Sequence, residues 1–261
     1  MTFDYCASLG AFPFRRVPDA DAEALLRLMD EEGIAQALVS SLEAVLYRNV
    51  QAANELLVER IASHADRLLG AAVINPAYPR ATEDTALCLE EMGLRAVRLL
   101  PSYHAWRPTD PCVAPVLAMA AHCGVPVSVM MRVEDDRQRH PLLQVHPPTA
   151  AELATLFAAH PNVAFVLERA NAAEVRALLN RAPQVTNWSV ELSGKIPLAP
   201  DSTKQESLFA RLGPDRWLFG TDLPLQYPRV AQLRLAALDL APAVEAQIRW
   251  GNAQRLLTGA A

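Results

Sequence analysis

Short apolar runs rich in β-branched residues alternate with longer amphipathic stretches along the whole chain. The apolar runs predict strands over Thr2–Ser8, Gln36–Ser40, Leu69–Asn75, Ala96–Leu100, Val127–Met131, Ala164–Leu167, Trp188–Leu192 and Trp217–Gly220. Most are continuous rather than alternating, as expected of parallel strands covered on both faces. Between them, helices are expected over Asp21–Glu32, Asn49–Ser63, Glu83–Met92, Val113–His122, Ala150–Ala159, Ala172–Arg181 and Lys204–Leu212. Two more follow the eighth strand, Val230–Leu238 and Ala243–Leu257. The tetrads TAAE from Thr149 and NAAE from Asn171 read as capping boxes, in which the first side chain satisfies a free amide and the Glu reaches back.

Eight strand–helix units with no Gly/Ser linker between them predict one (β/α)8 TIM barrel, a single domain over residues 1–261. An open, doubly wound sheet is the main rival. It is weakened because no glycine-rich phosphate fingerprint follows any strand.

Composition narrows the class. Hydrophobic residues make up 51% of the chain and charged residues 20%, which suits a large core and argues against disorder. A net charge of -5 disfavours nucleic acid as a partner. No apolar run has membrane-spanning length, and the N-terminus lacks a signal-peptide layout. Cys6, Cys88, Cys112 and Cys123 form no CxxC pair, so reduced thiols and a cytoplasmic location are expected. A homodimer is an admissible assembly.

In a (β/α)8 barrel, chemistry gathers where strands end at their carboxyl side. There the chain offers Asp4, Cys6 and Ser8, then Arg98, Arg132 and Arg169, and finally Asp222 in WLFGTDLP. Strict alternation would turn Asp4, Cys6 and Ser8 to one face. Arg98, Arg132 and Arg169 end three successive strands, and with Asp222 they suggest a positive pocket for a small carboxylate or phosphate. Glu134, Asp135 and Asp136 lie close enough in sequence to neutralise it internally.

LFGTDLP followed by a helical tail with WGNAQRLL resembles the amidohydrolase-related family, the branch with aminocarboxymuconate-semialdehyde decarboxylases and dicarboxylate lactone hydrolases. FDYCASLGAFP, GLRAVRLLP, CGVPVSVMM and HPNVAFVLERAN are similar to its first, fourth, fifth and sixth strands. The resemblance implies a metal-dependent-hydrolase fold in which one divalent metal serves hydrolysis or decarboxylation of small acids. It also implies histidines at the first, fifth and sixth strands. Here Cys6, Ser8, Met130 and Arg169 stand at those places, and Asp222 is retained.

The expected site is therefore a degenerate one. Cys6 and Asp222 leave zinc or another divalent metal chemically open, but two good donors beside an arginine make a poor site, and no cofactor is expected. None of the six histidines falls at a ligand position. His104 sits in the loop after the fourth strand beside Tyr103 and Trp106, where catalysis and plain stacking are both open. Cys6 is either a nucleophile or a buried structural thiol. Asp222, His104 and Cys6 are the candidate catalytic groups; Arg98, Arg132, Arg169, Ser8 and Met130 are the candidate substrate contacts. Three readings follow: a metal-independent hydrolase or decarboxylase acting on a small anionic molecule, a non-catalytic relative retaining ligand binding, and a metallohydrolase with a rearranged site.

Overall fold

The computed structural model describes residues 1–194 and 207–259. Eight strands form one sheet in sequence order: β1 (Phe3–Leu9), β2 (Gln36–Ser41), β3 (Leu68–Ile74), β4 (Ala96–Leu99), β5 (Val127–Met130), β6 (Phe165–Glu168), β7 (Trp188–Glu191) and β8 (Trp217–Leu218). Every neighbouring pair is parallel. Closure comes from bonds between the first strand and the segment that follows the last. Tyr5 N donates to Phe219 O at 2.9 Å, Asp222 N to Cys6 O at 2.7 Å and Ser8 N to Leu223 O at 2.8 Å. The expected (β/α)8 barrel is the observed fold.

The helices between strands are α1 (Ala22–Glu31), α2 (Gln51–Ile61), α3 (Ala81–Ala86), α4 (Val113–His122), α5 (Ala150–Ala159), α6 (Ala172–Arg181) and α7 (Leu208–Leu212). After β8 come α8 (Pro228–Ala236), α9 (Pro242–Ala246) and α10 (Asn252–Thr258). Both expected capping boxes are made, Thr149 with Glu152 and Asn171 with Glu174. The part of the Lys204–Leu212 expectation before residue 207 lies outside the described residues. Among the described residues, no helix is long and apolar enough to cross a membrane.

The core divides as a barrel requires. Leu9, Val39, Leu99, Val129, Leu167 and Val190 belong to the large cluster shared with the helices. Phe3, Tyr5, Leu38, Ala71, Ala96, Val166 and Leu218 form a second cluster at the amino-terminal end of the barrel interior. Cys6, Val73, Leu100 and Met130 belong to a third, nearer the carboxyl ends of the strands.

The first strand departs from the expected alternation. Asp4 pairs with Ala37 and Ala7 with Val39, so Tyr5 and Cys6 together oppose one residue of β2. Such a bulge resets which way side chains point. Tyr5 packs in the lower interior cluster and Cys6 in the upper one, while Asp4 turns to the Thr221 amide at 2.9 Å and to the Thr221 hydroxyl. Asp4, Cys6 and Ser8 do not share one face.

Candidate functional site

Two buried ion pairs occupy the carboxyl end of the barrel. Arg98, on β4, points into the interior and meets Glu168, the last residue of β6, through Nε to Oε2 at 2.8 Å and Nη2 to Oε1 at 2.9 Å. Both side chains are essentially unexposed (1% and 0%). The guanidinium also donates to the Ala7 carbonyl at 3.1 Å and to the Ser40 hydroxyl, so one side chain ties β1, β2, β4 and β6 together. A close ion pair with further hydrogen bonds to the guanidinium is what lets such a pair offset its desolvation, although Arg98 Nε and Glu168 Oε2 make no hydrogen bond among the described residues. Burial raises the Glu168 pKa against the pull of Arg98, and Glu191 adds to the rise.

The second pair lies higher. Arg169, immediately after β6, places Nη1 3.1 Å from Oδ2 of Asp222. Asp222 also accepts from Gln226 Nε2 at 3.1 Å. Glu191, the last residue of β7, accepts from the Arg169 and Ser193 amides, each at 2.6 Å, and from the Ser193 hydroxyl at 2.7 Å. Gly220 explains the glycine of Gly-Thr-Asp: a Cβ there would lie 2.3 Å from Glu191 Oε2. Burial pushes the Asp222 carboxyl up to about 8; Arg169 opposes the rise and Glu191 adds to it. Asp4 is pushed up to about 7 by burial, against the bonds from Thr221 and the Cys6 amide, with Glu191 again adding.

This arrangement corrects the expected electrostatics. Asp4, Glu168, Glu191 and Asp222 are all buried, and among the described residues Arg98 and Arg169 are the buried cations that act on them. The interior is rich in carboxyl groups, and burial pushes Asp4, Glu168 and Asp222 toward the protonated form. Arg132 is withdrawn altogether: it pairs with Glu174 of the α6 capping box and donates to the Arg169 carbonyl at 2.6 Å. The three arginines therefore do not ring one cavity.

An open cavity of about 340 Å³ does lie over the Arg169–Asp222 pair. Its wall also includes Leu225, Tyr227, Val230 and Arg234, with Arg15, Glu134, Asp135 and Arg137 at the sides. Arg98, Arg132, Cys6, Ser8, Met130 and His104 are absent from its lining. Cys6 is buried beneath Gly220, and burial, Glu191 and Glu168 drive its thiol well above the usual range, so it is a neutral thiol. Met130 packs in the same cluster. The His104 ring sits under the loops with Nε2 3.0 Å from the Ala44 carbonyl, and burial lowers its pKa. Sequence reasoning placed Asp222 and Arg169 together. It missed Glu168, which ends an apolar run, and Arg234, which lies on a helix rather than at a strand end.

The donor set does not fit a divalent cation. Among the described residues, no three of His, Cys, Asp or Glu converge to hold one. Asp222 is engaged by Arg169 and Gln226 and raised toward its neutral form, the Cys6 thiol resists ionisation, and Met130 and Ser8 are weak ligands.

A family model described as Amidohydrolase matches residues 13–258. The structure is similar to that of a 2,6-dihydroxybenzoate decarboxylase from Rhizobium (19% identity, TM-score 0.69, all of both chains covered). It is also similar to a Polaromonas dihydroxybenzoic acid decarboxylase with bound manganese and the inhibitor 2-nitroresorcinol (17%, TM-score 0.72, 98% of this chain and 96% of that one). A third likeness is to 4-oxalomesaconate hydratase from Rhodopseudomonas palustris (15%, TM-score 0.66, 100% and 96%). No curated protein matches the chain significantly in sequence.

Proposed function

The chain belongs to the amidohydrolase family, and on that footing we propose that it is an acid–base enzyme, a decarboxylase or hydrolase, acting on a small carboxylate-bearing molecule without a catalytic metal. The observation that carries this reading is Asp222, held largely protonated at the floor of an open cavity and in contact with a guanidinium that cannot lose its charge. A carboxyl with a pKa near the working pH is suited to general acid catalysis.

Decarboxylation uses such a group most directly. As the carbon–carboxylate bond breaks, its electron pair stays on the substrate carbon and takes the proton from Asp222, and carbon dioxide leaves. Asp222 is left as a carboxylate facing Arg169, whose charge stabilises it, and a proton from solvent restores the acid. Hydrolysis of a lactone or amide would need the ionised form of Asp222 to draw a proton from water, so it belongs to higher pH. The family likeness supports both reactions, and the neutral Asp222 favours the first. Members that use a metal draw on its Lewis acidity; here the donor chemistry of the site supports assigning the positive charge to Arg169.

The test is turnover. The purified protein, with and without prior chelator treatment, is offered small aromatic and aliphatic carboxylic acids and lactones while carbon dioxide release and acid formation are followed. Turnover that survives chelation and falls at least about 100-fold in Asp222→Asn is expected. Turnover abolished by chelation and restored by a divalent metal would replace this reading with a rearranged metallohydrolase. No turnover across the panel would leave ligand binding as the better reading.

A further inference from the structure

The two carboxyl oxygens of Asp222 keep different company. Oδ2 accepts from Gln226 Nε2 at 3.1 Å and has Arg169 Nη1 at the same distance. Both nitrogens also donate to the Ser193 carbonyl, each at 3.3 Å, and Arg234 Nη1 reaches that carbonyl at 3.1 Å. Gln226 and Arg169 therefore bridge the same two oxygens. Oδ1 takes no hydrogen bond among the described residues, yet it is not sealed from the cavity that Asp222 lines.

The backbone brings Gln226 to this place. The Asp222 carbonyl accepts from the Leu225 amide at 2.8 Å and the Gln226 amide at 3.1 Å, a turn that carries residue 226 back beside residue 222. Chemistry then fixes which way the side-chain amide points. Its nitrogen offers two hydrogens, and it faces two oxygens; turned over, the amide oxygen would oppose the Ser193 carbonyl, which can only accept. A proton on Oδ2 would meet the Gln226 N–H donor against donor, beside a guanidinium that cannot lose its charge. The neighbouring carboxyl groups leave this arrangement alone. Glu191 is engaged by the Arg169 and Ser193 amides and the Ser193 hydroxyl, and Asp4 by the Thr221 amide and hydroxyl and the Cys6 amide.

We infer that Gln226 is a positioning residue for the reaction: with Arg169 it reserves Oδ2 as the accepting oxygen, so that the proton of Asp222 sits on Oδ1 and faces the substrate. The inference rests on the function proposed above and deepens it by naming the atom that gives up the proton. The bond that breaks is Oδ1–H. Its electron pair stays on Asp222, and the proton goes to the substrate carbon that has lost carbon dioxide. Oδ2 keeps the same two donors before and after the transfer, so neither side chain has to turn during the step, as a preorganised site requires.

The experiment is infrared difference spectroscopy of the full chain on the acid side of neutrality, each protein measured against its Asp222→Asn counterpart to isolate the carbonyl stretch of protonated Asp222. Gln226→Met keeps the length of the side chain and removes both hydrogens. It should move that band to higher wavenumber, because the carbonyl-type oxygen loses a donor, with the circular dichroism spectrum and thermal transition unchanged. Its kcat should fall about fivefold, the size of one neutral hydrogen bond, with KM unmoved. Gln226→Glu is the second variant: it sets an acceptor opposite Oδ2, draws the proton away from Oδ1, and should lower kcat about 100-fold, as for loss of a general acid. The spectrum needs no substrate, so it separates this inference from the identity of the reaction. A band that stays in place in folded Gln226→Met would overturn the role of Gln226 and leave Asp222 as the acid. A raised KM with kcat unmoved would make Gln226 a substrate contact instead. If no protonated-carboxyl band disappears from wild type in Asp222→Asn, the acid reading falls, and this inference with it.

Discussion

Arg169 and Asp222 meet at 3.1 Å, Nη1 to Oδ2, and each holds a left-handed backbone conformation (φ 58° and 62°) just past the end of its strand. That conformation costs an L-residue roughly 1–2 kcal/mol, so it persists only where the surroundings enforce it. Here the enforcement is visible: the Arg169 amide is taken by Glu191 and the Asp222 amide by the Cys6 carbonyl. Those bonds turn two side chains from different strands toward one another at the floor of the cavity.

Stability should fall as pH rises through neutrality. Asp4 and Asp222 have folded-state pKa values of about 7 and about 8, raised from 3.8, so the native protein holds protons the unfolded chain has released. Their contribution is complete below the unfolded value and is lost as pH climbs through the folded values. Glu43 and Glu152 are lowered, but both are ionised in either state by this point. His104 and His160, lowered by burial, act in the opposite sense only below their ordinary range. Thermal melts between about pH 6.5 and 8 should show a declining midpoint, and Asp4→Asn should flatten the decline. A midpoint that rises over that window would mean the carboxyls are not held protonated.

Removing one partner of the Arg98–Glu168 pair should be severely destabilising. Both groups are buried, and Arg98 joins β1, β2, β4 and β6. Glu168→Gln leaves its guanidinium without a counter-charge, a defect of about 3–5 kcal/mol. The double variant Arg98→Met, Glu168→Leu should recover much of the loss, because no buried charge remains. Urea unfolding of the three proteins decides it. A single variant as stable as wild type would show that the pair is not closed off from water.

The barrel was legible because its signal is repeated: eight apolar runs, each followed by a helical stretch, with caps written locally at Thr149 and Asn171. The site was legible only in part. Asp222 and Arg169 sit at strand ends and were found there. Glu168 closes the run Phe165–Glu168 and looks like the start of a loop; only the register that sets it beside Met130 reveals that it faces Arg98. The turn at Tyr5–Cys6 is equally hidden, since a bulge leaves no mark in the alternation that it breaks. Arg132 reads like its two neighbours, and what sets it apart is the Glu174 of a capping box 42 residues on.

Cys6 should be unreactive in the native protein. It is buried, its thiol is raised well above the usual range, and it is absent from the lining of the cavity over Asp222. Cys88 is likewise buried, whereas Cys112 and Cys123 are partly exposed. Ellman's reagent should therefore reach Cys112 and Cys123 in native buffer, and all four thiols in denaturant. Rapid native labelling of Cys6, identified by peptide mass, would restore it as a nucleophile.

The pH profile of the proposed reaction should carry the signature of Asp222 and its partner. With Asp222 as the proton donor, the rate should be level at neutral pH and fall above about pH 8, where the carboxyl ionises. Arg169 is the group that pulls this pKa down against burial. Arg169→Met should therefore move the alkaline limb to higher pH, since the neutral acid persists longer. The same change should lower kcat, because the carboxylate left after proton transfer loses its counter-charge; about 100-fold is the size expected for a lost electrostatic partner in a closed site. Asp222→Asn should abolish the limb together with the activity. The opposed movements, limb upward and kcat downward, separate this role from simple substrate binding, in which KM would rise with the limb unmoved. A limb that stays in place in Arg169→Met would show that the titrating group is not Asp222.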